Sequence, residues 1–174
     1  VGDGDGIKAF YVYAGHIRNS LGFNEFEGMN YPYGQTHIFT DGQTVLAVLF
    51  KFLAQYFPFF NTHSMGIYNV LMLMSYPLCG MMLAGIIKRL GMPLVITVVA
   101  SFSITILSPQ YFRLFGHPTL SYVVAVPLMW WLFIRYKESS KKIKWSLVIA
   151  CNAMFWFMVH PYYIMLWVMF AMAY

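Results

Sequence analysis

The chain has 174 residues, 60% hydrophobic, 20% aromatic and only 10% charged, with a formal net charge of +5 and a mean hydropathy of +0.61. So little charge cannot cover the surface of a water-soluble domain of this size, which excludes an ordinary soluble globule. A nucleic-acid surface is excluded too, because five of the eleven cations crowd between Arg135 and Lys144, a pattern that orientation across a membrane explains better.

Residues 1–42 are polar and Gly-rich and hold five of the six acids: Asp3, Asp5, Glu25, Glu27 and Asp41. Within them the periodicity predicts an amphipathic helix over Ile7–Leu21. Ile7, Phe10, Tyr11, Ala14, Ile17 and Leu21 line its apolar face, with Lys8, His16 and Asn19 opposite. Gly22-Phe23-Asn24 is a stop, and Glu25–Thr40 reads as a loop with a Tyr-Pro-Tyr-Gly turn. Gln43–Phe57 is apolar except for Lys51 and Gln55, which share a narrow face with Thr44 and Ala47. Crossing a bilayer would set Lys51 near its middle at a cost of about 3 kcal/mol, so residues 43–60 are expected to lie in the interface.

Four apolar stretches follow, each close to the length that spans a hydrocarbon core of roughly 30 Å: Met65–Ile87, with a kink at Pro77, Met92–Leu107, Thr119–Ile134 and Trp145–Val159. His160-Pro161 ends the fourth, and the apolar residues beyond read either as a kinked continuation or as a returning helix. Cys79 and Cys151 fall inside apolar runs and read as small buried hydrophobes. The chain opens at Val1 in a polar loop and stops at Tyr174 inside an apolar run, which predicts a further helix on each side. Basic loops at 88–91 and 135–144 are expected in the cytoplasm. Parity then sets the Arg113/His117 loop, the His160 turn and residues 1–42 together on the opposite, extracytoplasmic face. The expectation is an all-α fold, a polytopic transmembrane helical bundle. Residues 1–42 form an extracytoplasmic loop with an amphipathic helix, 43–60 an interfacial helix, and 61–174 four or more spans.

Candidate chemistry gathers on that face. Asp3 and Asp5, two apart before the first helix, read either as a cap, with Asp5 accepting orphan backbone N–H bonds, or as an acid pair that holds a divalent cation or acts as a general base. Glu25 and Glu27 read as solvated. Asp41 either caps the interfacial helix or lines a pocket with His37 and Asp5. Arg113 suits a phosphate, since its fork binds oxygens bidentately, or snorkels to the interface. His117 shares its loop, and His160 joins the pocket or an aromatic belt with Tyr162 and Tyr163. No phosphate-binding loop, nucleophile elbow or zinc signature is present.

The acid at the head of the first loop, the amphipathic helix, the interfacial helix and the helix entering the cytoplasm together resemble the GT-C superfamily of polytopic glycosyltransferases. The text Asp3-Gly4-Asp5-Gly6-Ile7-Lys8, the run Gly22–Gly34 and Thr40-Asp41 look like members from Bacteroidetes-type bacteria. The resemblance implies transfer of a sugar from a polyprenyl-phosphate donor to an extracytoplasmic acceptor, with inversion, in the inner (cytoplasmic) membrane of a bacterium. It implies Asp5, and next Asp3, as the catalytic acids, with magnesium or manganese as a candidate cation on them. His37, Asp41, Arg113, His117 and His160 are then the residues expected to meet substrate. A transporter or flippase, with Lys51 and His160 along a path, is the alternative, and a non-catalytic membrane scaffold the third.

Overall fold

The computed structural model describes residues 4–30 and 32–173, and they are all-α apart from one two-residue ladder. The chain divides into two units: residues up to Met72 with Phe112–Ser121 and Met158–His160, and then Leu73–Tyr111, Tyr122–Phe157 and residues from Pro161 onward.

In the first unit, helix α1 runs Asp5–Asn19. Its cap is Gly4, in the left-handed region at φ 49, and no side chain caps the end. Asp5 therefore stands in the first turn, where its carboxylate complements the helix dipole, and is not the cap. The buried face is also not the expected one. Gly6, Ala9, Val12, Tyr13, His16 and Ile17 point inward, whereas Ile7, Tyr11 and Leu21 are exposed. Small residues on the inward face let α1 lie close along α2 (Thr44–Tyr56), and Tyr13 and Phe10 pack edge-on against Tyr68 at 4.8 and 4.9 Å.

The stretch expected as loop contains strands β1 (Glu25–Phe26) and β2 (Gln35–Thr36), paired antiparallel with Glu25 opposite Thr36. Gly34 supplies the turn at φ 69, its N–H donating to the Asn30 carbonyl at 3.2 Å. The hairpin drives Phe26 into the core, onto α1 at Gly15, where an added Cβ would come within 3.1 Å of the ring. Two residues of pairing cannot stand alone in water, so burial of Phe26 holds the hairpin in place.

Helix α2 matches its expected bounds, and its polar face is turned inward. Thr44, Ala47 and Lys51 are buried, together with Phe50, while Gln55 is exposed. The Lys51 ammonium donates to the carbonyls of Ser20, at 2.6 Å, and Gly22, and lies 5.7 Å from the Phe23 ring. A cation there closes the chain just past the α1 C-terminus, where carbonyls lack helical partners. Burial lowers its pKa. The outward side of α2 and of the short helix α3 (Pro58–Thr62) is apolar, with Leu49, Phe52, Tyr56, Phe57 and Phe59 exposed.

Among the described residues, four helical stretches are long and apolar enough to cross a bilayer: Ser64–Arg89, Leu94–Phe112, Pro118–Glu138 and Lys142–Val159. The helices are α4 (Ser64–Arg89, with Pro77 inside), α5 (Leu94–Ile106), the single turn α6 (Arg113–Gly116), α7 (Ala125–Glu138) and α8 (Lys142–Val159). In the second unit α5 is packed inside out. Thr97, Ser101 and Thr105, four apart, are buried, and Leu94, Val95, Val99 and Phe102 are exposed. The Ser101 and Thr105 hydroxyls find partners in their own helix, as Thr105 Oγ1 does on the Ser101 carbonyl at 2.7 Å. Helix α9 (Tyr162–Ala173) is a returning helix and not a kinked continuation. Near its start Tyr163 meets Trp156, which meets Tyr122 ahead of α7, at 5.1 and 5.7 Å. Further along, Trp167 and Phe170 meet Phe133 late in α7, at 5.7 and 6.4 Å.

Replacing the Lys51 ammonium by an apolar chain of similar length strands two carbonyls. Lys51→Met is expected to lower unfolding stability by about 2 kcal/mol, read by chemical denaturation of the purified protein. Unchanged stability would deny the lysine this structural role.

Candidate functional site

Three acid–base pairs, on two carboxylates, form in the first unit from segments far apart in sequence. Asp5 and Lys8, three apart, lie on one side of the first turns of α1. Asp5 Oδ2 lies 3.6 Å from His117 Nε2, and the His117 loop packs on α1 through α6 and the turn Pro118–Leu120. Lys8 Nζ lies 3.7 Å from Asp41 Oδ2, and His160 Nε2 lies 3.4 Å from the other Asp41 oxygen.

The two carboxylates differ in setting. Asp5 is 59% exposed and Asp41 31%. The His160 hydrogen bond holds the Asp41 carboxyl below the ordinary carboxylate range, against the opposing effect of burial and with help from Lys8, His160 and His117 charge. Asp41 is therefore a fixed negative charge at neutral pH, and its pairing fixes a lysine and a nearly buried histidine. It does not cap α2, whose N-cap is Gln43 in the left-handed region.

His37 does not join this group. It is fully buried, its ring 4.2 Å from that of His16 and its Nδ1 3.1 Å from Thr44 Oγ1. Thr40 and Thr44 hydroxyls both donate to the His37 carbonyl, at 2.6 and 3.1 Å. Gly42 packs so tightly on the ring that an added Cβ would come within 2.7 Å of it. His37 thus holds from beneath the segment that presents Asp41. Burial first, then the charges of its neighbours, lower the pKa of His16 to about 4 and of His37 to about 3. Both rings are neutral at pH 7, and neither His16 nitrogen nor His37 Nε2 makes a well-formed hydrogen bond.

Arg113 is exposed and makes no ion pair among the described residues, while its carbonyl accepts the His117 N–H at 2.8 Å. Asp3 lies outside the described residues. Among the described residues no three His, Cys, Asp or Glu side chains gather around a metal position. Lys8 and His16, which the sequence offers only as part of the polar face of the first helix, join these contacts. An Asp-x-x-Lys spacing was the available signal for Lys8, and nothing marked His16, whose partner is 21 residues away.

The buried histidines set an acid limit. A histidine whose pKa is lowered on folding binds its proton in the unfolded chain first, so stability is full above pH 6.5. It then declines as pH falls toward 4 and 3, by on the order of 2 kcal/mol per pH unit for the pair. Melting temperatures should hold from pH 7.5 to about 6.5 and then fall toward pH 5, and a profile flat down to 5 would contradict the buried neutral pair.

No curated protein and no solved structure matches the chain. The model of a domain of unknown function, DUF6311, matches residues 8–174, and the chain belongs to that family.

Proposed function

We propose that this protein is a polytopic membrane glycosyltransferase of GT-C type. It moves a sugar from a polyprenyl-phosphate donor to an acceptor on the periplasmic or outer face of a bacterial inner membrane. The observation that carries the reading is the cluster itself: Asp5 with His117, and Asp41 with Lys8 and His160. An exposed carboxylate, one turn from a lysine, meets a histidine in a chain that carries helices fit to cross a bilayer. The inside-out packing of α5 supports the membrane setting, because apolar side chains facing outward are stable in hydrocarbon.

In this mechanism Asp5, the more exposed carboxylate, takes the proton of the acceptor hydroxyl. The hydroxyl oxygen bonds to the anomeric carbon from the face opposite the phosphate, and the bond from that carbon to the phosphate oxygen breaks. Polyprenyl phosphate leaves, its negative charge met by Lys8, His117 and Arg113. Asp41, tied to Lys8 and His160, orients Lys8 and takes no proton. The candidate magnesium or manganese on Asp3 and Asp5 would need about six oxygen ligands. Among the described residues Asp5 faces a histidine, a poor match for that set. Commitment of Lys51 to two backbone carbonyls favours the transferase over a transporter or flippase in which that lysine would line a path.

The test is transfer of a labelled sugar from a short polyprenyl-phosphate donor by the full-length protein in vesicles. Asp5→Asn is expected to lower turnover by 10²-fold or more with membrane insertion intact. Asp41→Asn should weaken donor binding and leave a measurable rate at saturating donor. Normal transfer by Asp5→Asn would overturn the assignment of the base, and no transfer by the wild-type protein from any such donor would overturn the reading as a whole.

A further inference from the structure

At one end of the second unit, three helix termini bring together seven cations and one acid. Lys88 and Arg89 close α4, Arg135 and Lys137 close α7 with Glu138, and Lys141, Lys142 and Lys144 open α8. Some of this charge is used internally. Arg89 and Arg135 share Glu138 at 3.3 and 3.8 Å. Lys142 Nζ donates to the carbonyls of Tyr136 and Lys137 at 2.6 and 2.9 Å, capping α7 where its dipole favours a cation. Lys88, Lys141 and Lys144 are exposed and meet no carboxylate among the described residues. Seven cations less one acid leave six positive charges in excess.

The same surface is apolar where it is not charged. Ile143 is 80% and Leu147 62% exposed beside Lys141 and Lys144, and Leu90 and Leu94 are exposed beside Lys88. Arg135 lies between Trp131 and Trp145, 5.8 and 5.3 Å from their rings, the amphipathic side chains that settle at a headgroup boundary. A soluble polyanion would answer the charge and leave this apolar rim in water. A molecule with a phosphate at one end and acyl chains at the other answers both.

We propose that this end of the second unit binds anionic phospholipids, with headgroup phosphates on Lys88, Lys141 and Lys144 and acyl chains along exposed Ile143 and Leu147. The inference rests on the membrane reading and is independent of sugar transfer. The test uses full-length protein in phosphatidylcholine nanodiscs doped with dansyl-labelled phosphatidylglycerol or, separately, dansyl-labelled phosphatidylcholine, with energy transfer from tryptophan as the readout. Wild-type protein should enrich the anionic probe about fivefold over the zwitterionic one. The Lys88→Gln/Lys141→Gln/Lys144→Gln protein should lose that preference, and the corresponding three arginine substitutions should keep it. Equal transfer from both probes, a preference unchanged in the glutamine variant, or displacement of the probe by a short DNA duplex would each overturn the proposal. Failure of the wild-type protein to enter phosphatidylcholine discs at all would instead bring down the membrane reading, and this proposal with it.

Discussion

Lys51 reaches from the middle of α2 to the carbonyl oxygens of Ser20 and Gly22, and the arrangement of the first unit hangs on that reach. The contact closes the chain beyond α1, and it sets the face of α1 that meets α2. That face carries His16 to the ring of His37. His37 in turn holds the segment 37–44 through its carbonyl, two threonine hydroxyls and the close packing of Gly42. Asp41, one residue ahead of Gly42, is thereby presented to Lys8 and His160. A charge that would be costly in hydrocarbon is inexpensive here because it meets two carbonyls and an aromatic face.

The second unit obeys a different rule. In α5 the hydroxyls of Thr97, Ser101 and Thr105 are turned inward, and Leu, Val, Ile and Phe side chains face outward. In water such a helix would expose its apolar sides for no return. In lipid the outward side chains lose nothing, and association is left to close packing, such as Thr105 Oγ1 against Cys79 Sγ at 3.5 Å. The four long apolar stretches and this reversal in α5 are both compatible with a place in a bilayer.

Much of the helical layout was legible in the sequence, because a run of about 17 to 25 apolar residues leaves few alternatives. The bounds of α2, the position of Pro77 within α4 and the break at His160-Pro161 all follow from local residues. The buried face of α1 was not legible. His16 reads as polar and Ile7 as apolar, yet a neutral histidine packed on a second ring is an acceptable core group, while an exposed Ile is ordinary. The β1–β2 ladder was hidden for a related reason: it is held by the burial of Phe26 on α1, a tertiary contact with no local signature. The candidate site was half legible. Helix parity brought Asp5, Asp41, His117 and His160 to one face, but the pairing among them, the part of Lys8 and the withdrawal of His37 into the core depend on side-chain positions that parity does not reach.

The two acids of the cluster are set apart by their neighbours, and this decides which of them is free for chemistry. Asp41 meets a lysine and a nearly buried histidine, so its charge is already matched and its proton affinity lowered. Removing a proton from an acceptor at Asp41 would require breaking at least one of those pairs. Asp5 meets a single, partly exposed histidine and leaves most of its carboxylate open. On the function proposed above, the anchored Asp41 serves as fixed charge and the accessible Asp5 as base. The contacts show the difference in exposure and pairing, and the proposed role of Asp5 rests on that difference.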